Sequence, residues 1–118
     1  MNLIDAISSF DKIRPNSFDF ETKKTWVLNM ESEIRGFAAL HSGKEADMDF
    51  YTKENPKLFL DDTGADIYVF YLISMADLAN GEYRLYNVSS TYFHSVFDRW
   101  KKRYRAQNRP KTNINIKQ

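Results

Sequence analysis

The chain has 118 residues, a net charge of +1 and no cysteine. This length suits one domain, which hides roughly two thirds of its unfolded surface on folding. The lack of cysteine excludes disulfides, thiolate metal sites and thiol catalysis. The longest apolar run, residues 67–73, is far too short to span a membrane, and residues 1–20 contain no apolar run of signal-peptide length. We therefore expect a soluble protein made in a cytoplasm, without a membrane partner.

The small net charge conceals a strong division. Residues 1–98 carry nine Lys or Arg and sixteen Asp or Glu, a net charge of −7, whereas residues 99–118 carry eight Lys or Arg and no acid. Basic ends of this kind commonly contact nucleic acid or an acidic protein surface. Cations also stabilise the negative pole of a helix, so a purely structural interpretation stays open. The candidate partner-binding residues are Arg99, Lys101, Lys102, Arg103, Arg105, Arg109 and Lys111.

In chain order, residues 2–10 are predicted to form a short helix, which Pro15 ends because it disfavours the helical conformation at the residue before it. A second helix is predicted to begin at a Ser17 or Asp19 cap and to end at Gly43. Two sets of side chains define its faces. We expect Trp26, Val27, Met30, Ile34, Phe37 and Leu40 to be buried, and Glu31, Glu33 and Arg35 to face water.

Helical periodicity disappears between residues 42 and 62. About twenty residues is long for a connection in a compact domain, which points to function or mobility. A small hairpin, residues 48–51 against 57–60, is one possible structure for this loop. In an oligomer, the loop could reach a neighbouring subunit.

Residues 65–79 are predicted to form a third helix, although residues 67–73 alone are typical of a buried strand. Caps at both ends favour the helix: Asp61, Asp62 and Thr63 before it, and Asn80-Gly81 after it. Such a helix has almost no polar face, so it belongs at the centre of a bundle or in a subunit interface, and we expect both together.

One acid on this third helix needs a partner. Asp77 lies among apolar residues, and a buried carboxylate requires compensation. Arg35 and Arg84 are the predicted candidates.

The fourth predicted helix, residues 82–106, carries a row of aromatic residues. Its members follow each other in steps of three and four, which places them on one face of a helix. Rings at this spacing favour a packed core over a platform on which single-stranded nucleic acid stacks. The row comprises Tyr83, Tyr86, Ser90, Phe93, Phe97, Trp100 and Tyr104. The opposite face, expected in water, comprises Arg84, Asn87, Ser89, Ser95, Lys101 and Arg105.

These patterns predict an all-α protein, a compact bundle of about four helices with a long C-terminal helix. Residues 1–110 form the single helical domain, and residues 111–118 form a flexible C-terminal tail that lacks a turn signal or a core.

No set of residues suggests catalysis or metal binding. His41 and His94 are the only histidines, and neither has metal-pair spacing with a nearby acid. The ordered Asp/Asn/Gly pattern of a calcium loop and the Gly-rich loop of phosphate sites are missing. We expect no enzyme, no cofactor and no metal.

Two segments carry a resemblance to a known family. The first is Ile13-Arg14-Pro15-Asn16, which precedes a Trp-bearing helix. The second comprises Asp66-Ile67-Tyr68 with Tyr71-Leu72, followed by Asn80-Gly81-Glu82-Tyr83 and Tyr86-Asn87. With the helix order, over residues 2–110, they resemble the small head–tail connector (adaptor, or head-completion) proteins of long-tailed phages and prophages.

The resemblance implies a mostly helical virion protein that forms a ring beneath the portal, at the head–tail junction. Its expected partners are copies of itself, the portal protein and a stopper or tail-side connector, with non-specific contact to packaged DNA as a further possibility. Residues 99–111 and the tail would then face the portal or the lumen, and residues 42–62 a neighbouring subunit or the tail side. The alternative is a small nucleic-acid-binding accessory protein that uses the basic helix end.

Overall fold

The computed structural model describes residues 1–61 and 63–108. Within them the chain forms four α-helices and one short 3-10 turn, and the predicted all-α bundle is confirmed. The predicted tail, residues 111–118, lies outside the described residues. The helices are α1 (Leu3–Ile13), α2 (Phe20–Ser42), α3 (Ala65–Ala79) and α4 (Tyr83–Gln107), and the 3-10 turn is Asp49–Thr52.

The ends of α2 follow the predicted signals. Asp19 caps its first turn, accepting a 2.8 Å hydrogen bond from the backbone N–H of Thr22. Hydrogen bonds from Thr22 lower the pKa of Asp19 because they favour its charged form. Gly43 ends the helix at φ 76°, a left-handed conformation that side chains with a Cβ rarely adopt.

The start of α3 differs from its prediction. The N-cap residue is Gly64, and no side chain caps the helix there. Asp61 instead accepts hydrogen bonds from the backbone and hydroxyl of Thr63, which close a turn just before the helix. Asp62 lies outside the described residues.

The core is built around α3, as its apolar sequence predicts. This helix packs against α1, α2 and α4, so apolar side chains around most of its circumference leave water. Each neighbouring helix contributes one stripe. Among the buried apolar side chains are Leu3, Ile7 and Phe10 of α1, Val27, Met30 and Ile34 of α2, and Ile67, Tyr68 and Leu72 of α3.

Two residues of α2 contradict the predicted faces, and a third, Arg35, which was expected to face water, has a side chain only 14% exposed. Leu40, expected in the apolar stripe, is 76% exposed. Glu31, expected in water, is 0% exposed. Leu40 lies on the side of α2 opposite the buried Val27, Ile34 and Ala38, and a polar network explains the burial of Glu31.

The Glu31 carboxylate accepts three hydrogen bonds from three parts of the chain. The Tyr68 hydroxyl of α3 donates to Oε1 at 2.5 Å. Oε2 accepts from the Phe59 backbone N–H of the loop at 2.6 Å and from Arg35 Nε at 2.6 Å. A buried charge is tolerated when it is both paired and hydrogen-bonded, as it is here.

Arg35 extends this network into the loop. Its Nη1 donates to the Asp47 carbonyl at 2.8 Å, and its Nη2 donates to the Lys57 carbonyl at 3.1 Å. The guanidinium carbon lies 4.7 Å from the centre of the Phe50 ring, a cation–π distance. Glu31 and Arg35 thus fasten both halves of the loop to α2.

The predicted hairpin in the loop is wrong. Residues 49–52 form the 3-10 turn instead. Lys57 makes an isolated antiparallel bridge with Asn2, and the Leu58 N–H donates to the Met1 carbonyl at 3.0 Å. The backbone groups of residues 57–58 therefore pair with the first residues of the chain, which sequence periodicity does not reveal.

Replacing Glu31 by alanine should destabilise the fold by about 3 kcal/mol, because it leaves Arg35, the Tyr68 hydroxyl and the Phe59 N–H without their acceptor. Urea denaturation followed by circular dichroism measures this loss of unfolding free energy. Glu33→Ala, an exposed acid on the same helix, is the control and should change stability by less than about 0.5 kcal/mol. Equal losses in the two variants would contradict the network.

Stability should also fall above pH 10 because of Tyr68. Burial, and then the negative charge of Glu31, raise the pKa of Tyr68 above its ordinary value of 10.0. The unfolded chain loses this proton above pH 10 while the folded chain keeps it, so Tyr68 contributes stability below that pH and loses it as the pH rises. The loss should be about 1.4 kcal/mol per pH unit.

Unfolding free energies at pH 9, 10 and 11 test this prediction. Wild type should lose more stability over this range than Tyr68→Phe, which lacks the titrating group. Tyr83→Phe, which removes a 66% exposed tyrosine, should follow the wild-type curve. Parallel curves for wild type and Tyr68→Phe would contradict the prediction, because they would show that the Tyr68 hydroxyl ionises alike in the folded and unfolded chains.

Candidate contact surface on the C-terminal helix

The predicted aromatic row holds the second half of α4 against the bundle. Phe93 and Trp100 are buried. The ring of Phe97 lies 5.6 Å from that of Phe93 and 6.0 Å from that of Trp100, in stacked geometry. Tyr104 continues the row at 5.2 Å from Trp100. These rings are used in packing, which favours the core interpretation over a stacking platform for nucleic acid.

The first turn of α4 departs from that prediction. Tyr83 is 66% exposed and stands outside the packed row. Ser89, expected on the solvated face, donates a 2.8 Å hydrogen bond to Asp77 Oδ2. A polar contact with α3 therefore helps to hold the first turns of α4.

Asp77 is 1% exposed, and its partner is neither of the predicted arginines. Arg14, the residue that follows α1, donates a 2.5 Å hydrogen bond to Oδ1 of Asp77. Arg14 lies 63 positions away in the chain, so spacing along the helices does not reveal the pair. The Asp77 carboxylate ties together α1, α3 and α4.

The basic residues of α4 project from the last turns of this anchored helix. Arg99, Lys102, Arg103 and Arg105 are exposed. Lys101 is half-buried: its Nζ lies 4.5 Å from the centre of the Phe97 ring and 3.5 Å from an Asp98 oxygen. Arg109 and Lys111 lie outside the described residues.

These cations differ in what they contact within the subunit. Lys101 contacts an acid, Asp98, and the face of the Phe97 ring. The guanidinium carbon of Arg105 lies 5.9 Å from the centre of the Phe37 ring. The ion pairs of residues 1–61 and 63–108 do not include Arg99, Lys102 or Arg103. Steps of three and four place these three on one side of α4. We call these three exposed residues the cationic patch.

The same side of α4 carries apolar residues nearer its start, which the aromatic pattern did not indicate. Leu85 is 48% exposed and Val88 is 70% exposed, while Tyr92 is 56% exposed with its ring 4.6 Å from that of Phe70 of α3. Their spacing of three and four could have shown that they share a face. Continued along the helix, this spacing reaches the cationic patch. We call Leu85, Val88, Tyr92, Arg99, Lys102 and Arg103 the outer face of α4.

A shallow cleft of about 400 Å³ lies beside the last turn of α4. Ala38, Ala39, Phe59 and Tyr104 supply apolar wall, and Glu45 and Asp47 contribute acidic groups. No group of three or more His, Cys, Asp or Glu in the described part of the chain is placed to hold a metal ion. His41 and His94 lie beside Phe37 and Phe93, at ring distances of 4.4 and 5.2 Å.

Comparison of the chain with models of known protein families, with curated proteins and with solved structures gave no match. In residues 1–61 and 63–108, no helix combines the length and the apolar character needed to cross a membrane. The geometry of α4 is therefore the main guide to function.

Proposed function

We propose that this protein is a structural subunit of a phage head–tail connector, a non-enzymatic virion protein that forms a ring between the portal and the next connector or tail component. The observation that carries the proposal is the outer face of α4, which presents apolar and cationic side chains to the outside of a firmly anchored helix. The helix order and the motifs around Arg14 and Asn80 add the family resemblance.

Charge supports a contact between subunits or with the portal. Residues 1–98 have a net charge of −7, whereas four exposed cations, Arg99, Lys102, Arg103 and Arg105, lie close together near the end of α4. One subunit's basic end can therefore meet the acidic body of another subunit or of the portal. Such a contact weakens as salt rises, because screening acts on exposed charges.

Electron microscopy of the protein mixed with tail-less capsids, from the phage or prophage that carries this chain, tests the proposal. We expect additional density beneath the portal vertex. Arg99→Glu with Arg103→Glu should reduce the occupied fraction of vertices at least about tenfold, since reversed charges repel an acidic partner. A lack of density with the wild-type protein would contradict the connector role.

The matched control is Lys12→Glu with Lys44→Glu. It changes the net charge equally and alters two exposed lysines outside α4. Its occupancy should remain near that of wild type. Equal losses in both double variants would show that total charge matters and that α4 has no special part.

The second candidate is a nucleic-acid-binding accessory protein, favoured by the exposed cations of α4. If these cations neutralise about five phosphates of duplex DNA, the logarithm of the binding constant should fall with the logarithm of the salt concentration at a slope near −4 to −5. A gel-shift titration measures this slope. Strong duplex binding with this slope, together with empty portal vertices, would favour the accessory role, and no duplex binding at low salt would remove it.

A further inference from the structure

The outer face of α4 combines an apolar stripe with a cationic end. Val88 has 70% of its surface in water, and Leu85 and Tyr92 have about half. From Leu85 to Arg103 the face extends about 27 Å along the helix at 1.5 Å per residue. Large side chains exposed together beside charged residues are typical of protein contact surfaces.

A second surface has matching chemistry. Around the 3-10 turn, Met48 is 39% exposed and Tyr51 is 48% exposed. Asp47, Asp49 and Glu54 flank them in the sequence, so residues 47–54, with Lys53, carry a net charge of −2. We call Met48, Tyr51 and these three acids the loop patch. It offers apolar groups and negative charge where the outer face offers apolar groups and positive charge.

The fold positions the loop patch firmly. Arg35 binds the Asp47 carbonyl and stacks on Phe50, the buried neighbour of Tyr51. A surface that is already ordered loses little conformational entropy on binding. The loop patch can therefore act as a preformed docking site.

The two surfaces are associated with opposite ends of α1. The loop is bound to its start, where the Leu3 N–H donates to the Pro56 carbonyl at 3.0 Å. The beginning of α4 is bound near its end, through Arg14, Asp77 and Ser89. With 11 residues, α1 separates these attachment points by about 16 Å. Two different, complementary surfaces on one chain suit a head-to-tail contact, which closes into a ring when the rotation allows.

We propose that the outer face of α4 of one copy packs against the loop patch of the next copy. This inference rests on the proposed connector function and identifies the subunit contact within it. Leu85, Val88 and Tyr92 cover Met48 and Tyr51, and the cationic patch faces Asp47, Asp49 and Glu54.

Sedimentation equilibrium of the wild-type chain and two variants, up to about 1 mM, tests the contact over the range of weak to moderate protein affinities. Val88→Asp places a carboxylate in the outer face, and Met48→Lys places a cation in the loop patch. Both positions are exposed, so the fold should tolerate them, and circular dichroism melting checks this. We expect each variant to self-associate at least about tenfold more weakly than wild type.

Mixing the two variants gives the decisive result. The Val88→Asp chain keeps its loop patch and the Met48→Lys chain keeps its outer face. An equimolar mixture should therefore form a 1:1 dimer that does not associate into larger oligomers. A mixture that stays monomeric would overturn the head-to-tail contact. So would variants that associate like wild type, or a wild-type protein that is monomeric at the highest concentration.

Leu40→Asp is the matched control, because Leu40 is an exposed apolar residue outside both surfaces. It should associate like wild type, and a loss equal to that of Val88→Asp would overturn the assigned surfaces. Capsid binding separates this inference from the connector role. Empty vertices combined with a 1:1 variant dimer would refute the role alone, whereas occupied vertices without that dimer would refute the contact alone.

Discussion

The buried carboxylate of Glu31 is the constraint on which the rest of the molecule depends. A charge out of water is tolerated only where enough donors surround it, and here the donors come from α2, the loop and α3. The position of each segment is therefore set relative to the other two. Because Arg35 also binds loop carbonyls, a long connection without α-helical structure becomes a defined surface.

A second buried acid has the same effect at the other end of α3. Asp77 joins the end of α1 to α4 through Arg14 and Ser89. Tyr68 and Asp77 are nine positions apart on α3, so the two polar anchors lie about 13 Å apart along the helix axis. Apolar packing fills the space between them. This arrangement fixes α4 from its inner side, while Leu85, Val88 and Arg99 on its other side stay exposed.

Local signals predicted most of the helices. The bounds of α3 agree with the predicted residues 65–79, and Asp19 and Gly43 mark the ends of α2 as expected. Capping and helical periodicity depend on residues within a few positions of each other, so one sequence is enough to read them.

Features that depend on distant residues were not predictable in this way. Glu31 looked like a surface acid because its donors Phe59 and Tyr68 lie 28 and 37 positions away. The hairpin prediction failed because residues 57–58 pair with the amino end of the chain. In the candidate site, the excess of cations was visible in the sequence. The apolar half of the outer face was overlooked because the aromatic row on the other side gave a stronger pattern.

The pairing between the amino end and the loop has a practical consequence for protein engineering. The Ile4 N–H donates to Asn55 Oδ1 across 51 positions, and Met1 and Leu3 bond to Leu58 and Pro56. A peptide fused ahead of Met1 would emerge beside the loop, where added bulk acts on a region that the rest of the chain holds in place. A purification tag at that end is therefore a structural perturbation, and its removal belongs before any biophysical experiment.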